Sequence, residues 1–409
     1  MRPRILVFTL CLFLTPVFAG EPRPTTGATP SNLPAPVSAA TAAVSTATAP
    51  AVPTVPPTAS APVVAPLDLD PTPVEIPSTR AAYLGTIGTS SRFLLTLDGD
   101  EKKLAGTLRY LKTGGELLIE GGCDKKRQFR LTESVVTDSR KNPDQKRVTG
   151  LLIGQFSPDR SSATGSWQSP DHKRTLALTM HRAAVYKTIK SKVPATITYP
   201  QFVDPELVHF NPLIRSATHE TYPTIAENVA TNIRDFPDDA TATLELRNAI
   251  NSERTVDVVY VDSTLLNLFA TEQNYMGGAH GMTSFAALTL GANPAPAGTP
   301  PEDRAVRVLR ATDLFGRDPE TYAAISQYLV ADLRRQEASS VVNGSIGSFT
   351  ADLMAGKCCV SLTGAALIYH FEPYCVGCYA EGSFAVSVPY RVFTKTLPAT
   401  SPLQRFIAK

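Results

Sequence analysis

The stretch Tyr275-Met276-Gly277-Gly278-Ala279-His280-Gly281 joins two apolar segments, residues 265–271 and 284–290. Each segment has the length and composition of a β-strand, and the glycines between them are typical of a turn. Because no helical pattern separates the segments, we expect the two strands to lie side by side in an antiparallel sheet. Gly277 and Gly278 permit positive φ, so together with Ala279 they are predicted to form the turn.

The surrounding sequence predicts an α+β fold for residues 190–400. Apolar residues at helical spacing predict one helix over 223–236 and another that begins after Asp318-Pro319, a cap followed by proline at the first helical position. Further strands are predicted at 255–261, 306–309, 366–371 and 384–388. Consecutive strands without a helix between each pair favour an antiparallel sheet with helices packed against it.

Residues 79–187 contain only strand patterns. Short apolar segments alternate with glycine-bearing turns at the spacing of an antiparallel meander, which predicts a small all-β or barrel-like domain. The predicted strands are residues 93–97, 104–111, 116–120, 148–156 and 174–180. Trp167, the single tryptophan, either packs in this domain or helps it to hold a small ligand.

The N-terminus predicts export from the cytoplasm. Residues 1–19 combine two arginines, an apolar segment and a small-residue cleavage site that ends at Ala19, as in a secretory signal peptide. Residues 20–78 are rich in Pro, Ala and Thr, a composition typical of a disordered linker. We therefore expect a periplasmic or secreted protein without stable membrane insertion, and a linker that is dispensable for folding.

Charge and motifs exclude several classes of partner. The chain has 39 basic and 37 acidic residues, and two of the basic residues lie in the signal peptide. Such a balanced chain has no general electrostatic attraction for nucleic acid or anionic membranes. No cofactor-binding motif occurs, so no cofactor is expected.

Four cysteines form two pairs, Cys358-Cys359 and Cys375-Val-Gly-Cys378. This spacing is compatible with zinc, but outside the cytoplasm disulfide bonds between the pairs are favoured. The pairing itself stays open. Cys123 is left over as a lone thiol, expected in a turn.

His280 is one of six histidines and the first residue to consider for chemistry. No Gly-x-Ser-x-Gly nucleophile motif and no second histidine at metal-binding spacing accompany it. We therefore predict no catalytic residue and no metal site, and expect the imidazole to hydrogen-bond backbone groups across the turn. The alternatives are a ligand-contacting loop, or catalysis with a carboxylate such as Glu272 or Glu372.

The loop 371–379 is the second candidate site. Tyr374 and Tyr379 are predicted to be exposed there, on a backbone held by a disulfide, which is a rigid presentation of aromatic rings that favours binding. His370 alternates with Tyr369 and Phe371 along the preceding strand and is expected to be a satisfied sheet histidine. The predicted binding residues are Tyr275, His280, Tyr374 and Tyr379.

The order of several motifs resembles an extracytoplasmic domain pair, DUF4163 and DUF3298. The motifs are Tyr199-Pro200-Gln201 with Asn211, then Gly277-Gly278-Ala279-His280, then Tyr369-His370-Phe371-Glu372-Pro373-Tyr374 with Gly382. The likeness covers roughly residues 195–395. The pair occurs in a lysozyme-sensing anti-sigma factor and beside the catalytic domain of a peptidoglycan deacetylase.

The resemblance implies a domain that binds a partner in the bacterial cell envelope, either a protein or a glycan, with a lysozyme-like protein the best-precedented partner. It does not imply the deacetylase activity, because that catalytic domain is absent here. A non-enzymatic binding protein is therefore the first hypothesis. The alternatives are a peptidoglycan hydrolase that uses His280 and a carboxylate, and a small-ligand carrier that uses the β-rich domain.

Overall fold

The described part of the chain begins with a closed β-barrel. The computed structural model describes residues 68–100, 102–138, 142–236, 241–293, 299–300 and 303–407. The predicted signal peptide and most of the predicted linker lie outside these residues. Each of the first eight strands pairs antiparallel with the next, and the first also pairs with the eighth, which closes the barrel. They are β1 (Val74–Ile87), β2 (Ser91–Gly99), β3 (Leu104–Tyr110), β4 (Glu116–Cys123), β5 (Gln128–Asp138), β6 (Asn142–Phe156), β7 (Ser162–Gln168) and β8 (Thr175–Lys190).

Apolar side chains fill the barrel interior. Every second residue of β2, namely Phe93, Leu95 and Leu97, is buried in one cluster with residues of the other strands. The alternation follows from the strand geometry, which points successive side chains to opposite faces. Cys123 belongs to this cluster, at the end of β4, so its expected place in a turn is corrected. In the carrier hypothesis a small ligand would lie in the barrel, but packed side chains fill the interior of the described barrel.

Strand β8 continues the barrel into the rest of the fold. Along one edge it pairs first with β7 and then with β9 (Ala195–Phe202), while its other edge pairs with β1. β9 lies parallel to β10 (Asn251–Val261), which is followed by β11 (Leu265–Tyr275), β12 (Met282–Ala292) and β13 (Val306–Val308) in one 13-stranded sheet. The predicted boundary between the regions 79–187 and 190–400 thus falls within β8, near its C-terminal end.

Two helices form the crossover that the parallel pair β9–β10 requires. They are α1 (Asn211–Arg234) and α2 (Thr241–Ala249). The sequence predicted that the first helix starts at Pro223, but it starts twelve residues earlier and Pro223 lies inside it. Pro223 is tolerated there because it is exposed, so water can satisfy the carbonyl that lacks its helical N–H partner.

A second, three-stranded sheet and five helices complete the fold. The predicted Asp318 cap is present, since its carboxylate accepts from the Glu320 N–H at 3.0 Å. Tyr322, Ile325, Leu329 and Leu333, the predicted apolar face of that helix, are fully buried. The strands are β14 (Cys359–Leu362), β15 (Ala366–Phe371) and β16 (Phe384–Pro389), and the helices are α3 (Ala311–Phe315), α4 (Pro319–Arg335), α5 (Ser339–Val342), α6 (Thr350–Met354) and α7 (Gln404–Ile407). The architecture is therefore α+β, with the barrel at its N-terminal side.

None of the helices in the described ranges is both long and apolar enough to cross a membrane.

Glu75 joins the barrel to the second region. Its carboxylate accepts hydrogen bonds from Lys187 of β8, from the Tyr199 hydroxyl at 2.7 Å and from His219 of α1 at 3.4 Å. Glu75 lies within the predicted linker 20–78, so ordered structure starts earlier than the composition indicated.

Glu75→Gln should change the pH dependence of stability. Burial raises the pKa of Glu75, but hydrogen bonds from Lys187 and Tyr199 outweigh it and lower the pKa from 4.5 to about 2. The carboxylate therefore stabilises the fold above pH 4.5, and this contribution is lost as the pH falls toward 2. Urea unfolding across that range should show the wild type and Glu75→Gln converging in acid. Parallel curves would contradict this role, and Glu253→Gln, at an exposed position of β10, is the control.

Candidate functional site

The glycine turn connects β11 to β12, as predicted. Gly277 has φ +88°, and a Cβ atom there would lie 2.3 Å from a ring carbon of Phe236. Gly278 is not among the residues with positive φ, and the nearest atom to a Cβ there is the His280 carbonyl oxygen at 3.9 Å. Only the first of the two glycines is therefore required by the backbone.

His280 lies exposed on the surface beside this turn. Its ring stacks on the Tyr379 ring with the centroids 3.7 Å apart and the planes 17° from parallel. Its Nδ1–H donates to the Gly281 carbonyl at 3.0 Å, and the Tyr374 hydroxyl lies 3.4 Å from Nε2. The imidazole thus bonds to the backbone of the next residue and not across the turn, and it forms part of an aromatic surface.

His280, Tyr374 and Tyr379 form one cluster, here called the aromatic patch. The Tyr379 hydroxyl donates to the Gly281 carbonyl at 2.8 Å, and the two tyrosine rings lie 5.6 Å apart. Tyr374 is 56% exposed and has φ +74°, an unusual backbone conformation for a tyrosine. The structure therefore brings together three of the four predicted binding residues.

Tyr275, the fourth predicted binding residue, stands apart from the patch. It ends β11 opposite Asn251, and no ring contact within the described ranges joins it to His280. Ala279 is exposed in the turn.

Two carboxylates hold the loop that carries the tyrosines. Glu372 Oε1 accepts from the Phe285 N–H of β12 at 2.6 Å, and Glu381 accepts from the Ser339 hydroxyl at 2.6 Å and from the Cys378 N–H at 3.0 Å. The hydrogen bond from Ser339 is the main cause that lowers the pKa of Glu381 to about 2. The two glutamates therefore make specific contacts on both sides of the tyrosine-bearing segment.

The predicted disulfides between the cysteine pairs are absent. Cys123, Cys358, Cys359, Cys375 and Cys378 form no disulfide bond in the structure. Electrostatic interactions join Cys375 to both Cys358 and Glu372, and they join Cys359 to Glu372, so the two cysteine pairs lie near one another without a bond between them. Among the described residues, no group of three or more His, Cys, Asp or Glu side chains could hold a metal ion.

A polar face on β14 and β15 combines serine, histidine and cysteine, which are residue types found in catalytic sites. The pKa values of these groups do not favour catalysis at neutral pH. Ser361 Oγ and His370 Nε2 share a hydrogen bond at 2.9 Å, and Cys359 lies directly opposite His370. Burial lowers the pKa of His370 to about 4 and raises the pKa of the Cys359 thiol. At neutral pH the thiol therefore stays protonated, and the His370 ring is a sheet histidine that is bonded to Ser361 and packs on Phe269, with the centroids 4.1 Å apart and the planes tilted by 33°.

Glu272, the other carboxylate considered for catalysis, is occupied. It is buried in β11, where it pairs with Arg254 and accepts from the Ser252 hydroxyl at 2.9 Å. Glu372 is raised in pKa by burial, and the charge of Glu272 adds to this. Neither carboxylate contacts the His280 ring among the described interactions.

The motif around Tyr199 is structural. The Asn211 side chain accepts from the Phe202 N–H at 2.8 Å and donates to the Phe202 carbonyl at 2.9 Å, which closes the connection from β9 to α1. Tyr199 is buried and bonded to Glu75.

Burial should set the order in which the thiols react. Cys375 and Cys378 are exposed, whereas burial raises the pKa of Cys358 to about 12 and also raises that of Cys359. Because the thiolate is the nucleophile, iodoacetamide should modify Cys378 of the reduced folded protein before Cys358 and Cys359. Mass spectrometry of timed samples measures the order, and equal rates for all of them would contradict the described burial.

The two glycines of the turn should differ sharply on substitution. Gly277→Ala places a side chain at positive φ and against Phe236, so it should lower the free energy of unfolding by about 1–3 kcal/mol. Gly278→Ala meets no close atom and should change stability by less than about 0.5 kcal/mol. Urea denaturation of both variants tests the pair. Equal effects would mean that the turn has another conformation.

One segment of the chain matches a known protein family, and this segment includes the loop that carries Tyr374 and Tyr379. The model of the family described as "Protein of unknown function (DUF3298)" matches residues 312–391, which run from α3 to the end of the second sheet. The resemblance to DUF3298 is thus confirmed for this segment, and the DUF4163 part remains a prediction. No curated protein matches the chain by sequence.

Two solved structures are similar. One is a crystal structure of a DUF3298 family protein from Pseudomonas aeruginosa PAO1, with 16% identity and a TM-score of 0.32, covering 50% of this chain and 85% of that chain. The other is a DUF3298 family member from Bacteroides fragilis NCTC 9343, with 15% identity and a TM-score of 0.29, covering 53% of this chain and 88% of that chain.

Proposed function

For a chain whose residues 312–391 belong to the DUF3298 family, we propose a non-enzymatic binding protein that works in the bacterial cell envelope, periplasmic or secreted. The partner is an envelope protein or a glycan. The family itself is of unknown function, so the proposal rests on the geometry of the site and on the export signal in the sequence.

The observation that carries the proposal is the aromatic patch. Tyrosine rings are among the side chains that contribute most to binding energy at interfaces, because they bury a large area and lose few rotatable bonds. Here the rings are already ordered by the stack of His280 on Tyr379 and by the Tyr379 bond to Gly281. A partner would therefore bind a preformed surface, which lowers the entropic cost of association.

The supports beneath the patch favour binding over turnover. His280 has aromatic and backbone contacts where a general base would have a carboxylate. The two carboxylates that a hydrolase would use are committed to Arg254 and to the Phe285 N–H. These contacts fix the position of the rings and leave no activated nucleophile beside them.

A lysozyme-like protein is the first partner to test, since the resemblance to the lysozyme-sensing domain suggests it. Its surface would place a side chain against the exposed Tyr374 ring. An isolated peptidoglycan glycan is the second ligand, because flat aromatic rings also stack on sugar faces. The two are distinguished by measuring binding to each separately.

Substitutions in the patch should weaken binding and spare the fold. Tyr374→Ala and His280→Ala should each lower partner affinity about tenfold or more, as expected for central aromatic residues of an interface. Because both side chains are exposed, melting temperatures should fall by no more than a few degrees. Biolayer interferometry with lysozyme, and sedimentation with peptidoglycan, give the affinities.

His172→Ala is the matched control, since His172 is an exposed histidine in the turn between β7 and β8. It should bind like the wild type. Turnover of peptidoglycan that disappears in His280→Ala without a change in melting temperature would overturn the proposal in favour of the hydrolase.

A further inference from the structure

A cleft of about 650 Å³ lies on the outer surface of the barrel, far in sequence from the aromatic patch. Its floor is formed by β1, β7 and β8, and its walls include Asp204, Glu206 and Leu207 after β9 and Asp262 after β10. The volume is within the range of small-molecule sites.

Strand register explains which side chains share the floor. Arg92, Thr86, Thr179 and Thr164 are successive cross-strand neighbours on β2, β1, β8 and β7. Directly opposite residues of paired strands point to the same face, so a guanidinium and three hydroxyl groups stand in one row.

The next row centres on a fixed histidine. His181 is flanked by Leu84 and Ser162 across the strands, and its Nε2–H donates to Asp204 at 2.7 Å. Asp204 in turn accepts from the Glu206 N–H at 2.9 Å. The carboxylate is therefore held from two sides and orients the ring, which leaves Nδ1 for a ligand.

The acidic walls are already paired. Asp204 binds His181, Glu206 binds Arg304 at 3.0 Å, and Asp262 binds Arg405 at 3.0 Å. In contrast, the guanidinium of Arg92 and the hydroxyl of Ser162 have no hydrogen-bond partner in the part of the chain that the structure describes. The Thr86 and Thr179 hydroxyls hydrogen-bond to each other at 2.9 Å. The open hydrogen-bonding capacity of the described cleft is thus a cation, an imidazole nitrogen and the remaining capacity of these hydroxyl groups and of Ser162.

From these open hydrogen-bonding groups we infer that the cleft binds a carboxylate-bearing saccharide. The planar guanidinium of Arg92 matches a carboxylate, and the hydroxyl row with His181 matches the hydroxyl groups of a sugar ring. The three carboxylates of the walls disfavour a doubly charged phosphate more than a singly charged carboxylate. This inference does not depend on the aromatic patch, so either proposal can fail alone.

Three hexoses that differ only at C6 test the inference on the full chain. Isothermal titration should show glucuronate binding about tenfold or more tighter than glucose, because the carboxylate adds a charge-assisted hydrogen bond. Glucuronate should also bind more tightly than glucose 6-phosphate. Equal binding of glucuronate and glucose, or no binding of glucuronate, would overturn the inference. Preference for the phosphate would overturn the assignment of a carboxylate.

Variants locate the binding. Arg92→Gln should reduce glucuronate affinity to the level of glucose, and Ser162→Ala should weaken the binding of both sugars. Arg130→Gln, at an exposed position of β5, is the matched control and should leave all three affinities unchanged. Unaltered glucuronate binding by Arg92→Gln, with its melting temperature preserved, would place the ligand elsewhere and refute the site.

Discussion

The fold depends on the pairing of β8. A strand has two edges, and this 16-residue strand uses one edge for β1 and divides the other between β7 and β9. The pairing of β8 with β1 closes the barrel, and its pairing with β9 starts the part of the sheet that leads to the glycine turn. Since the same backbone serves both, a shift of β8 by one residue would turn every side chain on it to the opposite face. Glu75, which bonds to Lys187 of β8 and to Tyr199 of β9, secures that register at the far end of the strand.

Local sequence patterns predict the elements that carry the aromatic patch, but not the patch itself. The turn, the strands on either side and the face of α4 follow from residues that are neighbours along the chain, and the sequence predicts them. The patch itself depends on contacts between distant residues: His280 meets Tyr374 across 94 positions, and Glu372 meets Phe285 across 87. Spacing carries no signal for such contacts. The resemblance to a known domain pair placed the two stretches in one region, but could not supply the geometry between them.

The structure also differs from the sequence predictions at the start of α1, at the cysteine pairs and at the cleft on the barrel. The spacing of apolar residues predicted a helix over 223–236, whereas the helix begins at Asn211 and contains an exposed Pro223 in its interior. The cysteine pairs predicted a disulfide from compartment and spacing alone. The structure has no bond between the two pairs, and the loop is held by hydrogen bonds to Glu372 and Glu381. The sequence did not predict the cleft on the barrel, because its lining combines side chains from four strands, β1, β2, β7 and β8, whose pairing the sequence does not show.

The groups beneath the patch also explain why a surface histidine can be part of a stable site. Burial keeps His370 neutral above a pKa of about 4, and hydrogen bonds keep Glu381 ionised above a pKa of about 2. Neither group changes its charge between pH 5 and pH 8, so the packing of β15 on Phe269 and the attachment of the loop to α5 are constant across that range. These two supports therefore keep their charge, whereas burial raises the pKa of Glu372, which holds the other end of the loop, so the hydrogen bond from the Phe285 N–H is the attachment that protonation would weaken first as the pH falls.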